Sequence, residues 1–184
     1  IASDGQDVFE GQLDATGHAR IERRLDGIRA APGMLTATFT SRIFERGGAF
    51  SVAYTSHKLS PYQRYVGLKL PDGDGAHNML RTDEVHTVEL AAFTEAGAPT
   101  DIDEVEITLY KIDWKWWWDK SGESLAQYTQ RTHSSVVQRD TVRIAAGSGK
   151  WQFQIKYPAW GRYLLRACDV KGGHCAGQTF YMDW

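Results

Sequence analysis

The chain has 184 residues, 42% of them hydrophobic and 24% charged, with a formal net charge of −2. That is enough apolar material for one large domain or two small ones with a real core. The balanced charge, with no block of one sign, gives no reason to expect nucleic acid or an anionic membrane surface as partner. No apolar run is long enough to span a bilayer, and residues 1–12 lack the basic-then-apolar pattern of a secretory leader.

Read in order, the pattern is almost all strand. DVFEGQLDATGHARIERRL (7–25) reads as two short runs around the turn-like DATGH, and GMLTATFTSRIFERGGAFSVAY (33–54) repeats the arrangement around ERGG. YQRYVGLKLP (62–71) precedes a loop rich in glycine and aspartate, DGDGAHNMLRTDE (72–84). HTVELAAF (86–93) sets Val88, Leu90 and Ala92 on one face, and WQFQIKY (151–157) does the same with Trp151, Phe153, Ile155 and Tyr157. Strands at this spacing, separated by turn chemistry, predict an antiparallel all-β sandwich or barrel.

Between these lies DEVEITLYKIDWKWWW (103–118). Its apolar residues start at odd positions (Val105, Ile107, Leu109) and finish at even ones (Ile112, Trp114, Trp116, Trp118). Strict alternation predicts either a bulge near Tyr110–Lys111 or cover on both faces. Polar residues then run from 119 to 140, longer than most connections in a compact domain. The tract offers Lys120, Leu125, Tyr128, Arg131, His133, Val136 and Arg139, side chains acceptable to almost any endoprotease. At the end of the chain YLLRA and QTFYMDW flank a Gly-Gly turn that predicts a hairpin. It sets Cys168 opposite Cys175, as a disulfide contributing roughly 2–3 kcal/mol and implying an oxidising compartment, or as two reduced thiols.

Flat aromatic faces can stack on sugars, but Trp116, Trp117 and Trp118 are consecutive and alternate faces. Large aromatics are more commonly buried, so core or anchor is expected of Trp114, Trp116 and Trp118, with carbohydrate binding as the alternative. HCAGQ spaces Cys175 and Gln178 as an internal thioester would, yet Gly177 stands where such a site needs Glu. DGDG (72–75) lacks the terminal bidentate carboxylate of a calcium loop. The six histidines are scattered, and zinc on His174 with the two cysteines competes with the simpler disulfide. There is neither a nucleophile elbow nor a phosphate-binding glycine loop. No catalytic residue, metal or cofactor is expected, and the protein is not expected to be an enzyme.

The segments FEGQLDATGHARI, PGMLTATFTSRIFERGGAFS, SPYQRYVGLKLP, EVEITLYKIDWKWWWD, YPAWGRYLLRACD and GGHCAGQTFYMDW resemble the middle of bacterial alpha-2-macroglobulins. The likeness covers nearly the whole chain and is most specific in LYKIDWKWWWD and WGRYLLRA…GGH…FYMDW. It implies macroglobulin-like β-sandwiches of immunoglobulin or fibronectin-III type, in a periplasmic protein anchored by an N-terminal lipid of the full-length chain. Such a protein is a broad-spectrum inhibitor: an endopeptidase cuts an exposed bait region, the molecule changes shape, and a thioester in another domain couples to the attacker. The thioester motif Cys-x-Glu-Gln is absent from this sequence.

On this resemblance the tract at 119–140 is the candidate bait, offering Lys120, Leu125, Tyr128, Arg131, His133 and Arg139. Trp114, Trp116 and Trp118 would anchor its entering end, and Val142, Ile144 and the strand from Trp151 its leaving end. Residues 1–60, with about four strands, would be the C-terminal half of one macroglobulin-like sandwich. Residues 61–184 would be a whole one carrying the insertion; alternatively both halves close into one larger sandwich. The partners implied are target endopeptidases, the neighbouring macroglobulin-like and thioester domains, and a cell-wall synthase of the penicillin-binding class.

Overall fold

The computed structural model describes residues 5, 7–24, 31–45, 47–74, 78–112 and 134–184. The chain divides into two units, residues 1–30 and residues 31–184.

In the first unit the expected turn at DATGH is present. Asp14 N donates to the His18 carbonyl at 2.8 Å, and the Asp14 carboxylate accepts the amides of Thr16 (2.8 Å) and His18 (2.9 Å). Those bonds, the His18 amide foremost, hold the exposed Asp14 carboxyl below its usual range. Among the described residues the runs on either side are nevertheless not strands. Phe9, Leu13 and Ile21 are about half exposed, and turn chemistry without a partner to bury such residues does not sustain a ladder. Residues 1–60 therefore show two strands among the described residues, not the expected four.

Those two are β1 (Leu35–Phe44) and β2 (Phe50–Leu59), a hairpin in unbroken antiparallel register from Leu35↔Leu59 to Phe44↔Phe50. Gly48, with φ +86°, lets the reversal close. The hairpin is a sheet by itself, and its residues are almost all exposed.

The sandwich is built from β3 (Arg64–Lys69), β4 (Leu80–Arg81), β5 (Val85–Thr94), β6 (Ile102–Ile112), β7 (Ser134–Ile144), β8 (Ser148–Gln154), β9 (Gly161–Asp169) and β10 (Cys175–Asp183). One sheet has the order β4-β10-β9-β6-β7 and the other β3-β5-β8. All neighbours are antiparallel except β10 and β4. The core lies between the sheets. Val88, Leu90 and Ala92 of β5, Val105, Ile107 and Leu109 of β6, Trp151 and Phe153 of β8, and Tyr163 and Leu165 of β9 fill it. Tyr157 does not join them: β8 ends at Gln154, and Tyr157 is exposed.

Cover on both faces, not a bulge at Tyr110–Lys111, accounts for the phase change in β6, although the β6–β7 ladder is irregular at both ends. Between Ile102↔Ile144 and Val105↔Val142 the strand gains one residue on its partner, which turns both Ile102 and Val105 into the core. At the other end the bulge sits on β7, not β6. Leu109 faces Gln138 while Tyr110 faces Val136, so Val137 is the extra residue. Against β9 the β6 register runs unbroken from Val105 to Ile112, and Thr108 and Tyr110 are buried as well as Ile107 and Leu109. Both faces of β6 are covered.

Candidate functional site

β6 and β7 are adjacent antiparallel strands, and their last pair sets Ile112 opposite Ser134. Two residues suffice to join such a pair. Here residues 113–133 make the connection. Trp114, Trp116 and Trp118, and the candidate bait residues Lys120, Leu125, Tyr128, Arg131 and His133, lie in that stretch, outside the described residues.

Arg139 is a correction. It stands inside β7 opposite Thr108, so its backbone belongs to the ladder, whereas a protease cleft needs free extended chain. Its ion pair with Glu106, at 3.9 Å, is exposed and weak. The connection therefore ends at 133, and the seven residues that follow it up to 140 are strand. Their pattern does not read as a strand because Gln138 and Asp140, polar residues, take inward positions opposite Leu109 and Ile107.

The two roots of the connection differ. β6 is hydrogen-bonded on both sides, by β7 and β9. Near its end Lys111 Nζ lies 5.8 Å from the centre of the Tyr163 ring. Burial raises the Tyr163 hydroxyl's pKa, and that hydroxyl donates to the Ala159 carbonyl. β7 is an edge strand, with Val136 and Val137 about half exposed. It is fastened further along, where Trp151 Nε1 and Gln138 Nε2 each donate to Asp140 Oδ2 at 2.7 Å. Trp151 belongs to β8, so this carboxylate joins the two sheets. Beyond it Val142 packs on the core and Ile144 is part of it.

At the same end of the sheet, Trp160 and Trp184 are exposed with ring centres 5.6 Å apart and planes at 67°. Trp184 ends the apolar run QTFYMDW, whereas Trp160 precedes the run YLLRA and no sequence pattern marks it. Only their places just outside β9 and β10 mark them as rim residues.

Cys168 and Cys175 lie at the opposite end, directly across β9 and β10, joined by a disulfide with Cα atoms 4.1 Å apart. With its sulfur so bonded, Cys175 has none to give a thioester with Gln178. In the DGDG loop the Asp74 carboxylate accepts the Met79 amide and Asn78 Oδ1 accepts the Gly73 amide. Among the described residues no cluster of three or more His, Cys, Asp or Glu is placed to hold a metal.

No curated protein matches the chain in sequence. Among solved structures, it resembles trypsin-activated alpha-2-macroglobulin of Escherichia coli at 12% identity and TM-score 0.53, over 82% of this chain and 10% of that one. Salmonella alpha-2-macroglobulin reacted with methylamine is similar at 16% identity and TM-score 0.52, over 84% of this chain and 10% of that one. Identities so low speak for the fold alone, and the chain spans about a tenth of the length of these proteins. Residues 67–184 match the family model described as bacterial macroglobulin domain 6. That match takes in all of β4 to β10 and the second half of β3, well over half of the chain, and the protein belongs to the bacterial macroglobulin domain family.

Proposed function

We propose that this chain is part of a bacterial alpha-2-macroglobulin that inhibits proteases by trapping them, and that residues 113–133 are its bait. The chain supplies no catalysis and no cofactor; it offers a cleavable segment and the frame that feels the cut. The observation that carries this reading is the pairing of Ile112 with Ser134. A connection of this length between strands that need almost none has another task than closing the fold. Lys120, Leu125, Tyr128, Arg131 and His133 give it sites for proteases of different specificity, and Trp114, Trp116 and Trp118 anchor its entering end.

The same reading makes residues 1–60 the C-terminal half of a preceding macroglobulin-like domain. The unaccompanied β1–β2 hairpin supports this. It also puts the full-length protein in the periplasm on a lipid anchor, beside further macroglobulin-like and thioester domains, with endopeptidases as targets. Nothing in the described residues or the relatives speaks for a cell-wall synthase as an additional partner.

Early digestion with trypsin and with chymotrypsin, followed by mass mapping, tests the bait. First cuts by both within 113–133 are expected. First cuts in the 72–79 loop or the 45–49 turn would overturn the assignment. The carbohydrate reading has one observation in its favour, the exposed Trp160–Trp184 pair, but rings at 67° do not form one stacking plane. Quenching of tryptophan fluorescence by glycan fragments would revive it.

A further inference from the structure

The turn between β9 and β10 gathers three parts of the chain around one histidine. His174 is 7% exposed. Its Nδ1 accepts the Val66 amide at 3.1 Å, so the ring carries its proton on Nε2. A further hydrogen bond runs to the Pro32 backbone, which has only a carbonyl to offer. Val66 is in β3, at the edge of the three-stranded sheet, while His174 hangs from the five-stranded one. The imidazole thus bridges both sheets and the segment that leads into β1.

The segment that leads out of β2 meets the same ring. Tyr62 and Tyr65 stand edge-on to the imidazole, with centres 5.2 and 4.8 Å away. The Tyr62 hydroxyl donates to the Ala31 carbonyl at 2.7 Å, and Ser60 Oγ lies 2.6 Å from the Tyr65 hydroxyl. Both chain crossings of the β1–β2 hairpin, at 31–32 and at 60–66, are therefore held at one point. The turn beneath them is itself fixed. The Cys168–Cys175 disulfide closes it, and the buried Asp169 carboxylate accepts the amides of Lys171 (3.1 Å) and Gly172 (2.9 Å). A side chain at Gly172 would collide with that carboxylate.

We propose that His174 is the pin of an acid-releasable joint between the β1–β2 hairpin and the sandwich. A proton taken from solvent onto Nδ1 turns the ring's acceptor into a donor, which then faces the Val66 N–H, also a donor. A buried amide so abandoned is costly, and the ring must swing out. Its swing breaks the bond to Pro32 and the contacts to both tyrosines, the groups that hold the hairpin's root.

Among the described residues the charges around the ring are few. Asp169, whose carboxylate is paired with Arg64 at 3.1 Å, favours the protonated form. Lys171, on the same turn, is paired at the surface with Glu104 at 3.7 Å. Tyr62, whose hydroxyl pKa burial raises, and Tyr65 meet the imidazole edge-on. Burial is the largest influence and pulls the His174 pKa below its ordinary value, against the Pro32 bond and Asp169. The folded pKa lies below the unfolded one. The joint therefore stands intact above about pH 6.5, the ordinary histidine value, and is lost as pH falls through the folded value.

Amide exchange and imidazole titration by NMR on the oxidised 184-residue chain, between about pH 7.5 and about pH 4.5, test this. Corrected for intrinsic rate, protection of the Val66 amide should fall at least tenfold in step with the His174 titration, while Ile107 and Leu109 keep theirs. In His174→Phe, which keeps an aromatic ring and cannot titrate, the step should vanish. The proposal is overturned if His174 does not titrate in this range, if Val66 protection ignores its titration, or if the step survives in His174→Phe. Should that variant not fold, the titration of the native chain decides alone.

Discussion

β6 and β7 carry the two ends of one connection, pair with each other, and are eleven residues each, yet they are held in different ways. β6 has a ladder on each side and side chains buried on both faces. β7 has one ladder, a bulge at Val137 and half-exposed valines at its start, and it is tied to the second sheet only from Asp140 onward, by that carboxylate and then by Val142 and Ile144 in the core. The difference shows that pairing does not by itself fix a strand: β6 is fixed by packing, β7 by what lies further along it. A cut between them would leave one firm end and one that is free to peel for its first few residues.

The comparison breaks first if β6 proves tolerant. Leu109 is fully buried in the core, and Leu109→Ala should cost about 2–5 kcal/mol in denaturant unfolding. A loss below about 1 kcal/mol, the range of ordinary substitutions, would mean that β6 is no firmer than its neighbour. Asp140→Ala should come next, at roughly 1–3 kcal/mol, because it leaves the Trp151 indole N–H without its acceptor. Asp140→Asn keeps a carbonyl oxygen there and should recover much of the loss. If both variants are neutral, the sheets are not joined at this point. The smallest effect belongs to Val137→Ala, within about 0.5 kcal/mol, since the bulged residue is half exposed. A larger cost would show that the start of β7 is fastened by more than its single ladder.

The sequence made most of the sandwich legible where one face is dry and the other wet, as in β5 with Val88, Leu90 and Ala92, and in the β9–β10 hairpin with its Gly-Gly turn. It failed where that contrast is lost. β4 is two residues long and has no period. β7 places Gln138 and Asp140 inward and then bulges, so its first half looked like more of the polar tract. Residues 7–24 failed the other way, because DATGH specifies a turn and says nothing of whether a partner strand is present. The connection was legible as a departure from sandwich economy, but its end at 133 was not, since that depends on a carboxylate being satisfied by an indole on another strand. The surroundings of His174 were illegible for the same reason: residues 31, 62, 66 and 174 meet only after folding.

Cutting residues 113–133 leaves two pieces whose strands alternate. β6, from the first piece, lies between β7 and β9 of the second; β8, from the second piece, lies against β5 of the first, and β4 of the first lies against β10 of the second. Pieces interleaved in this way should hold together with no covalent link. The direct measurement is native mass spectrometry of chain nicked to completion within 113–133 alone. The account predicts one complex containing both pieces, separating only in denaturant. Pieces that part in native buffer would contradict it.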